Sequence, residues 1–245
     1  MSLKDQLFTT ADRRMLEHSI LVRHRLEEQY ANLEQQSHTA VLGMWVFLAT
    51  EVMFFGTLFA GLAVYRYLYA DAFEAASTEL NWIIGGINTL VLLVSSYWIV
   101  MAVHHAQSGR PQETVKFLRL TALFGIAFLC LKGLEYYLDF RDELVPRLSF
   151  SVEHWISEHH LEPNQVPEVE LFLLYYWFMT AFHGLHVTIG VVAVLVVAEL
   201  CKKRNFTGAY YTPVDVLALY WHFVDLVWIF LLPMLYLLGT HHLGS

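Results

Sequence analysis

Eight polar side chains stand in stretches of this chain that are otherwise almost free of charge: Glu51, Asn88, Lys132, Glu135, His183, His186, His222 and Asp225. An ionisable group at the centre of a bilayer costs about 2.5–3.5 kcal/mol on insertion scales, so each should face a neighbouring helix or water and is a candidate for function. Lys132/Glu135, His183/His186 and His222/Asp225 are each spaced i, i+3, which puts the two members of a pair on one face of a helix. Glu51 is either a protonated carboxyl hydrogen-bonded inside a bundle or a proton-exchanging group. Lys132 and Glu135 read as a structural ion pair. The histidines fit interhelical hydrogen bonding, or ligation of iron, copper or zinc.

Ligation finds little support in the pattern. A carboxylate-bridged metal site could draw on Glu51, His183, His186, His222 and Asp225, yet the Glu-x-x-His repeat of a di-iron bundle is missing. Bis-histidine haem needs single histidines on facing helices, and the spans offer only His222 besides the pair. Counted at about 1.5 Å per residue from the cytoplasmic end, Glu51 lies roughly 16 Å deep, His186 about 20 Å, His222 and Asp225 about 12–16 Å, and Lys132 and Glu135 about 22–27 Å. Two polar layers are expected: an inner or central one of buried polar, proton-exchange candidates (Glu51, His183, His186, His222, Asp225) and an outer Lys132–Glu135 pair.

The elements that must position these groups are apolar spans. Five segments, about 40–66, 82–104, 117–138, 171–199 and 214–238, are each long enough to cross a bilayer as a helix. Of 245 residues, 56% are hydrophobic and only 16% charged, against about 25% in soluble domains. That composition excludes a soluble enzyme, a secreted disulfide scaffold and a basic nucleic-acid binder. The expected fold is all-α, an integral membrane bundle of five transmembrane helices. Gly56, Gly61, Gly85, Gly86 and Gly125 lie within the spans, where close helix approach is their default role.

Charge sets the orientation. The 1–39 segment and the 105–116 and 200–213 loops, with Arg119 at the edge of the third span, hold 11 of the 15 basic residues, so the amino terminus is expected in the cytoplasm and the carboxyl terminus outside. Residues 1–39 form a cytoplasmic polar tail with a helix expected over 11–36, and no signal-peptide core. The outer side is acidic, carrying Asp71, Glu74, Glu79, Asp139, Asp142, Glu143, Glu153, Glu158, Glu162, Glu168 and Glu170, most of them in the 139–170 loop. Within that loop, residues 150–159 are expected to form a short helix or turn. The acidity serves either solubility or the docking of a basic soluble partner.

Taken together the motifs resemble a known family. Gly43 through Phe55 (Gly-Met-Trp-Val-Phe-Leu-Ala-Thr-Glu-Val-Met-Phe-Phe) resembles the glutamate helix of subunit III of the haem-copper terminal oxidases. Asn88-Thr89-Leu90 to Ser95-Ser96, Lys132-Gly133-Leu134-Glu135-Tyr136, the Phe182–Gly190 stretch with His183 and His186, and Tyr220 through Trp228 are similar to its following spans, in order. The match is to a five-span bacterial form. Larger members have two further helices and a lipid-filled cleft, whose place here is taken by the polar tail.

The resemblance implies an accessory chain without cofactors of its own, with haem and copper held by partner subunits and phospholipid bound. Subunits I and II are the implied partners, and the family role is to stabilise the catalytic subunit I, hold lipid and support proton uptake. Glu51 matches the family's buried carbodiimide-reactive carboxyl, and none of the intramembrane positions is a metal ligand or catalytic residue. The expected complex is a bacterial cytochrome c oxidase, multi-pass in the plasma membrane, with the acidic outer face suited to cytochrome c or an adjoining electron-transfer complex. A quinol oxidase or a nitric oxide reductase-associated homologue is the near alternative. A small membrane metalloenzyme with a His/Asp/Glu site is the distant one.

Overall fold

A computed structural model describes residues 30, 32–142, 144–146, 155–156, 162–163, 165–204, 208 and 210–236. The described residues are helical and contain no strand: α1 (Leu33–Leu68), α2 (Ala70–Thr78), α3 (Trp82–Gln107), α4 (Pro111–Arg141), α5 (Val166–Arg204) and α6 (Thr212–Tyr236). All but α2 are long and apolar enough to cross a membrane. The helix expected over 11–36 lies outside the described residues except for its last few positions. So does the short helix expected over 150–159, of which only residues 155–156 are described, as helix.

The helices outrun the apolar segments. α1 starts at Leu33 because the Asn32 side chain caps it, its Oδ1 accepting from the Gln35 amide at 2.8 Å. α3 is capped in the same way by Asn81, which accepts from the Ile83 and Ile84 amides, while α4 opens on Pro111, whose missing N–H costs nothing in a first turn. At 39 residues α5 is about 58 Å long, well beyond a hydrocarbon core of about 30 Å. Its amino-terminal end supports α2, whose Phe73 meets Phe172 edge-on at 5.2 Å.

α6 is the centre of the bundle. It packs against α1, α3 and α5, and α4 fits between α3 and α5. More than half of the most apolar stretch of α6 is buried inside the chain (56%), against 17% for α1, which leans on the bundle from one side. Close approach relies on three of the five glycines singled out above. A Cβ on Gly125 would sit 2.7 Å from both Trp221 and Val191, one on Gly85 2.8 Å from Leu232, and one on Gly61 2.8 Å from the Tyr175 hydroxyl. Gly56 and Gly86 face open space, so helix contact does not account for them. Gly190, not singled out in the sequence, would bring a Cβ within 3.1 Å of the Trp221 ring.

Candidate functional site

Glu51 of α1 and His186 of α5 meet across the seam between the peripheral helix and the bundle, with His186 Nε2 3.1 Å from Glu51 Oε2. The other imidazole nitrogen fixes the proton count. His186 Nδ1 lies 2.8 Å from the Phe182 carbonyl oxygen, which can only accept, so Nδ1 carries a hydrogen. If the ring is neutral, Nε2 is bare and Glu51 must be the protonated donor. If the ring is charged, Glu51 is ionised. Either way the hydrogen bond places one hydrogen between the two groups. Phe55 holds the ring edge-on at 5.3 Å, and the Tyr220 hydroxyl of α6 donates to the His186 carbonyl at 2.9 Å. Both side chains keep a little exposure, 14% and 18%, on the flank of the bundle.

His183, one turn away, points instead into the interior. It is 1% exposed, stacks on Trp228 at 5.1 Å and meets the Phe128 edge at 5.6 Å. Neither of its nitrogens has a hydrogen-bond partner among the described residues, and the same holds for the Asn88 amide and the Asp225 carboxyl. Asp225 has Ser96 beside it, but that hydroxyl lies 2.7 Å from His222 Nδ1. The five residues expected in an inner layer form a Glu51–His186 pair on the flank, a His222–Ser96 pair joining α6 to α3 with Asp225 beside Ser96, and His183 in the interior.

The outer group is larger than an ion pair. Lys132 Nζ is 3.1 Å from Glu135 Oε1, on the same helix. The ammonium also donates to the Tyr176 hydroxyl at 3.0 Å and to the Tyr236 hydroxyl at 2.6 Å, using its three hydrogens on α4, α5 and α6. Tyr236 passes its own hydrogen to Glu135 at 2.6 Å. Tyr176 has one hydrogen and two carboxylates in range, Asp139 at 2.5 Å and Glu135 at 3.2 Å, and the shorter contact wins it. Glu135 Oε1 keeps the Tyr236 hydroxyl and the ammonium, while Glu135 Oε2 has no partner among the described residues. Four aromatic rings, of Tyr136, Tyr176, Trp228 and Tyr236, surround the ammonium at 4.7–5.6 Å. Sequence spacing found Lys132 and Glu135 but missed Asp139, Tyr176 and Tyr236, although Asp139 lies one turn beyond Glu135 and was readable as the next residue on the same face.

The two ends of the bundle differ in charge. Gln36 donates to the Tyr210 hydroxyl at 2.7 Å, and Arg119 pairs with Glu199 at 2.6 Å, with Lys116, Lys202 and Lys203 at the same end. At the other end α2, which bears Asp71 and Glu74, packs on α5, whose first turns bear Glu168 and Glu170. Among the described residues no three His, Cys, Asp or Glu side chains come together as a set that could hold a metal ion.

Comparison with known proteins gives these groups a context. The family model described as cytochrome c oxidase subunit III matches residues 169–240, which contain α6 and most of α5. The quinol oxidase subunit 3 of Bacillus subtilis is 30% identical over 213 residues, covering 85% of this chain and 93% of the relative. The cytochrome c oxidase subunit 3 of Thermostichus vulcanus is 30% identical over 203 residues, covering 81% and 87%. The cytochrome bo(3) ubiquinol oxidase subunit 3 of Pseudomonas aeruginosa is 27% identical over 218 residues, covering 89% and 93%.

Proposed function

The chain belongs to the subunit III family of haem-copper oxidases, and from that premise we propose that it is the accessory subunit of a bacterial cytochrome c oxidase, stabilising the catalytic subunit rather than carrying the reaction. Membership implies a multi-pass membrane protein in complex with other oxidase subunits. Its relatives include both cytochrome c and quinol oxidase subunits, so the electron donor is the finer part of the reading. The observation that carries it is the packing of α2, which bears Asp71 and Glu74, on the start of α5, which bears Glu168 and Glu170, an acidic end suited to a basic soluble donor.

In this reading the basic end, with Lys116, Arg119, Lys202 and Lys203, faces the cytoplasm and the acidic end faces outward. Haem and copper sit in partner subunits I and II, and phospholipid covers the open apolar face of α1. Glu51, His183, His186, His222 and Asp225 are the candidate proton-exchange groups, and in this reading the Glu51–His186 pair supports proton uptake by the complex.

The test is oxygen consumption by the purified complex with reduced cytochrome c and with quinol as alternative donors. Turnover with cytochrome c that falls as ionic strength rises supports the proposal. Turnover with quinol alone overturns the donor assignment. Stoichiometric metal on the isolated chain would overturn the accessory role in favour of a small metalloenzyme.

A further inference from the structure

Tyr176 of α5 touches all three charged members of the outer group on α4. Its hydroxyl accepts from Lys132 Nζ at 3.0 Å and lies 2.5 Å from Asp139 Oδ2 and 3.2 Å from Glu135 Oε1. A phenol has one hydrogen to give. With both carboxyls ionised that hydrogen goes to Asp139, and the Glu135 contact sets a lone pair against a carboxylate oxygen with no hydrogen between them. One cation then faces two anions, and all three are enclosed: Lys132 is 4% exposed, Glu135 1% and Asp139 5%. A net charge so placed costs several kcal/mol unless another group offsets it. Asp142, a further negative neighbour of Asp139, does the opposite, and Arg141 between them is exposed.

One added proton removes both faults. On Asp139 Oδ2 it fills the 2.5 Å contact from the carboxyl side, frees the Tyr176 hydrogen for Glu135, and leaves Lys132 and Glu135 as a balanced pair. The three contacts of the Tyr176 oxygen then carry three hydrogens, one from Lys132, one from Asp139 and its own. We propose that Asp139 is a proton-binding site at the acidic end of the bundle, and that Tyr176 turns its hydrogen from Asp139 to Glu135 when the proton arrives. The groups that face the site are Lys132, Glu135, Tyr136 and Asp142 from α4, Tyr176 from α5 and Tyr236 from α6; Tyr236 keeps its hydrogen on Glu135 in both states. The site thus lies where α4, α5 and α6 are tied together, and Asp139 is one turn nearer than Glu135 to the end of α4 at Arg141. Neither the electron donor nor the Glu51–His186 pair enters the inference.

Infrared difference spectra of the purified complex between acidic and alkaline buffer test the proposal. In acid the wild type should show a protonated-carboxyl C=O stretch, shifted in heavy water, that D139N lacks. Identical difference spectra of the two overturn the proposal. Asparagine keeps the shape of the protonated acid and donates to Tyr176 as that acid would, so D139N should assemble. Y176F gives a reading that does not depend on D139N: the wild-type band should persist at a different wavenumber, because the carboxyl has lost the oxygen to which it donates, and a band left in place overturns the reversal at Tyr176. Raising the pH should also lower the melting temperature of the wild-type complex more than that of D139N, since only the former gains a buried charge; parallel curves overturn the proposal.

Discussion

Glu51 and His186 show how far one residue can be read without its neighbours. The sequence places an acid in the first span and a histidine pair in the fourth, and the positions are legible because membrane insertion makes every ionisable residue conspicuous. Which histidine meets the acid is not legible, since i, i+3 spacing still leaves about 60° between two side chains on a helix turning about 100° per residue. That angle is enough to send His186 to α1 and His183 to Trp228. In E51Q the amide can still donate to a neutral His186 Nε2, but the shared proton is gone. Haem spectra of the complex should be unchanged and turnover should decay faster than in the wild type; loss of a haem or copper signal would contradict the role given to Glu51. The Lys132 group makes a second residue-scale prediction. K132M leaves Glu135 and Asp139 buried without their cation and should cost about 3–5 kcal/mol, whereas K132M combined with E135L should cost less than the sum of the two single changes. A thermal-unfolding double-mutant cycle measures the difference.

At the scale of elements, the five spanning helices were readable because about 20 apolar residues in a row have few other fates. Some of their ends were not: the polar cap Asn32 starts α1 seven residues before its apolar segment, whereas Asn81 caps α3 at Trp82, where the apolar segment also begins. α2 was missed as well. Its sequence, Ala-Asp-Ala-Phe-Glu-Ala-Ala-Ser-Thr, is short and reads as a connection, although Ala72, Phe73 and Ala76 form a stripe that packs on α5. Glycine roles divide by what lies opposite them, which no single sequence discloses. G125A should therefore lower the melting temperature of the complex through overpacking of about 1–3 kcal/mol against the rigid Trp221 ring, while G86A should leave it unchanged or slightly raised. Equal effects of the two substitutions would contradict the packing described for α4.

For the whole molecule, the charge asymmetry between the two ends was legible from the sequence, and the fold adds that α2 brings Asp71 and Glu74 to the acidic start of α5. Replacing Asp71, Glu162, Glu168 and Glu170 by their amides should weaken the salt dependence of turnover with cytochrome c and leave the rate at high salt unchanged. An unchanged salt profile would make those carboxylates a solubility device only. The apolar outer face of α1, with Leu42, Trp45, Val46 and Met53 exposed, fits a chain that works inside an assembly and a bilayer. Family membership makes this chain one subunit of a haem-copper oxidase complex. Affinity purification of the tagged chain from mildly solubilised membranes tests it most directly. A haem- and copper-containing, oxygen-reducing partner should come with it in fixed ratio; recovery of the chain alone from membranes in which the oxidase stays intact and active would contradict the account.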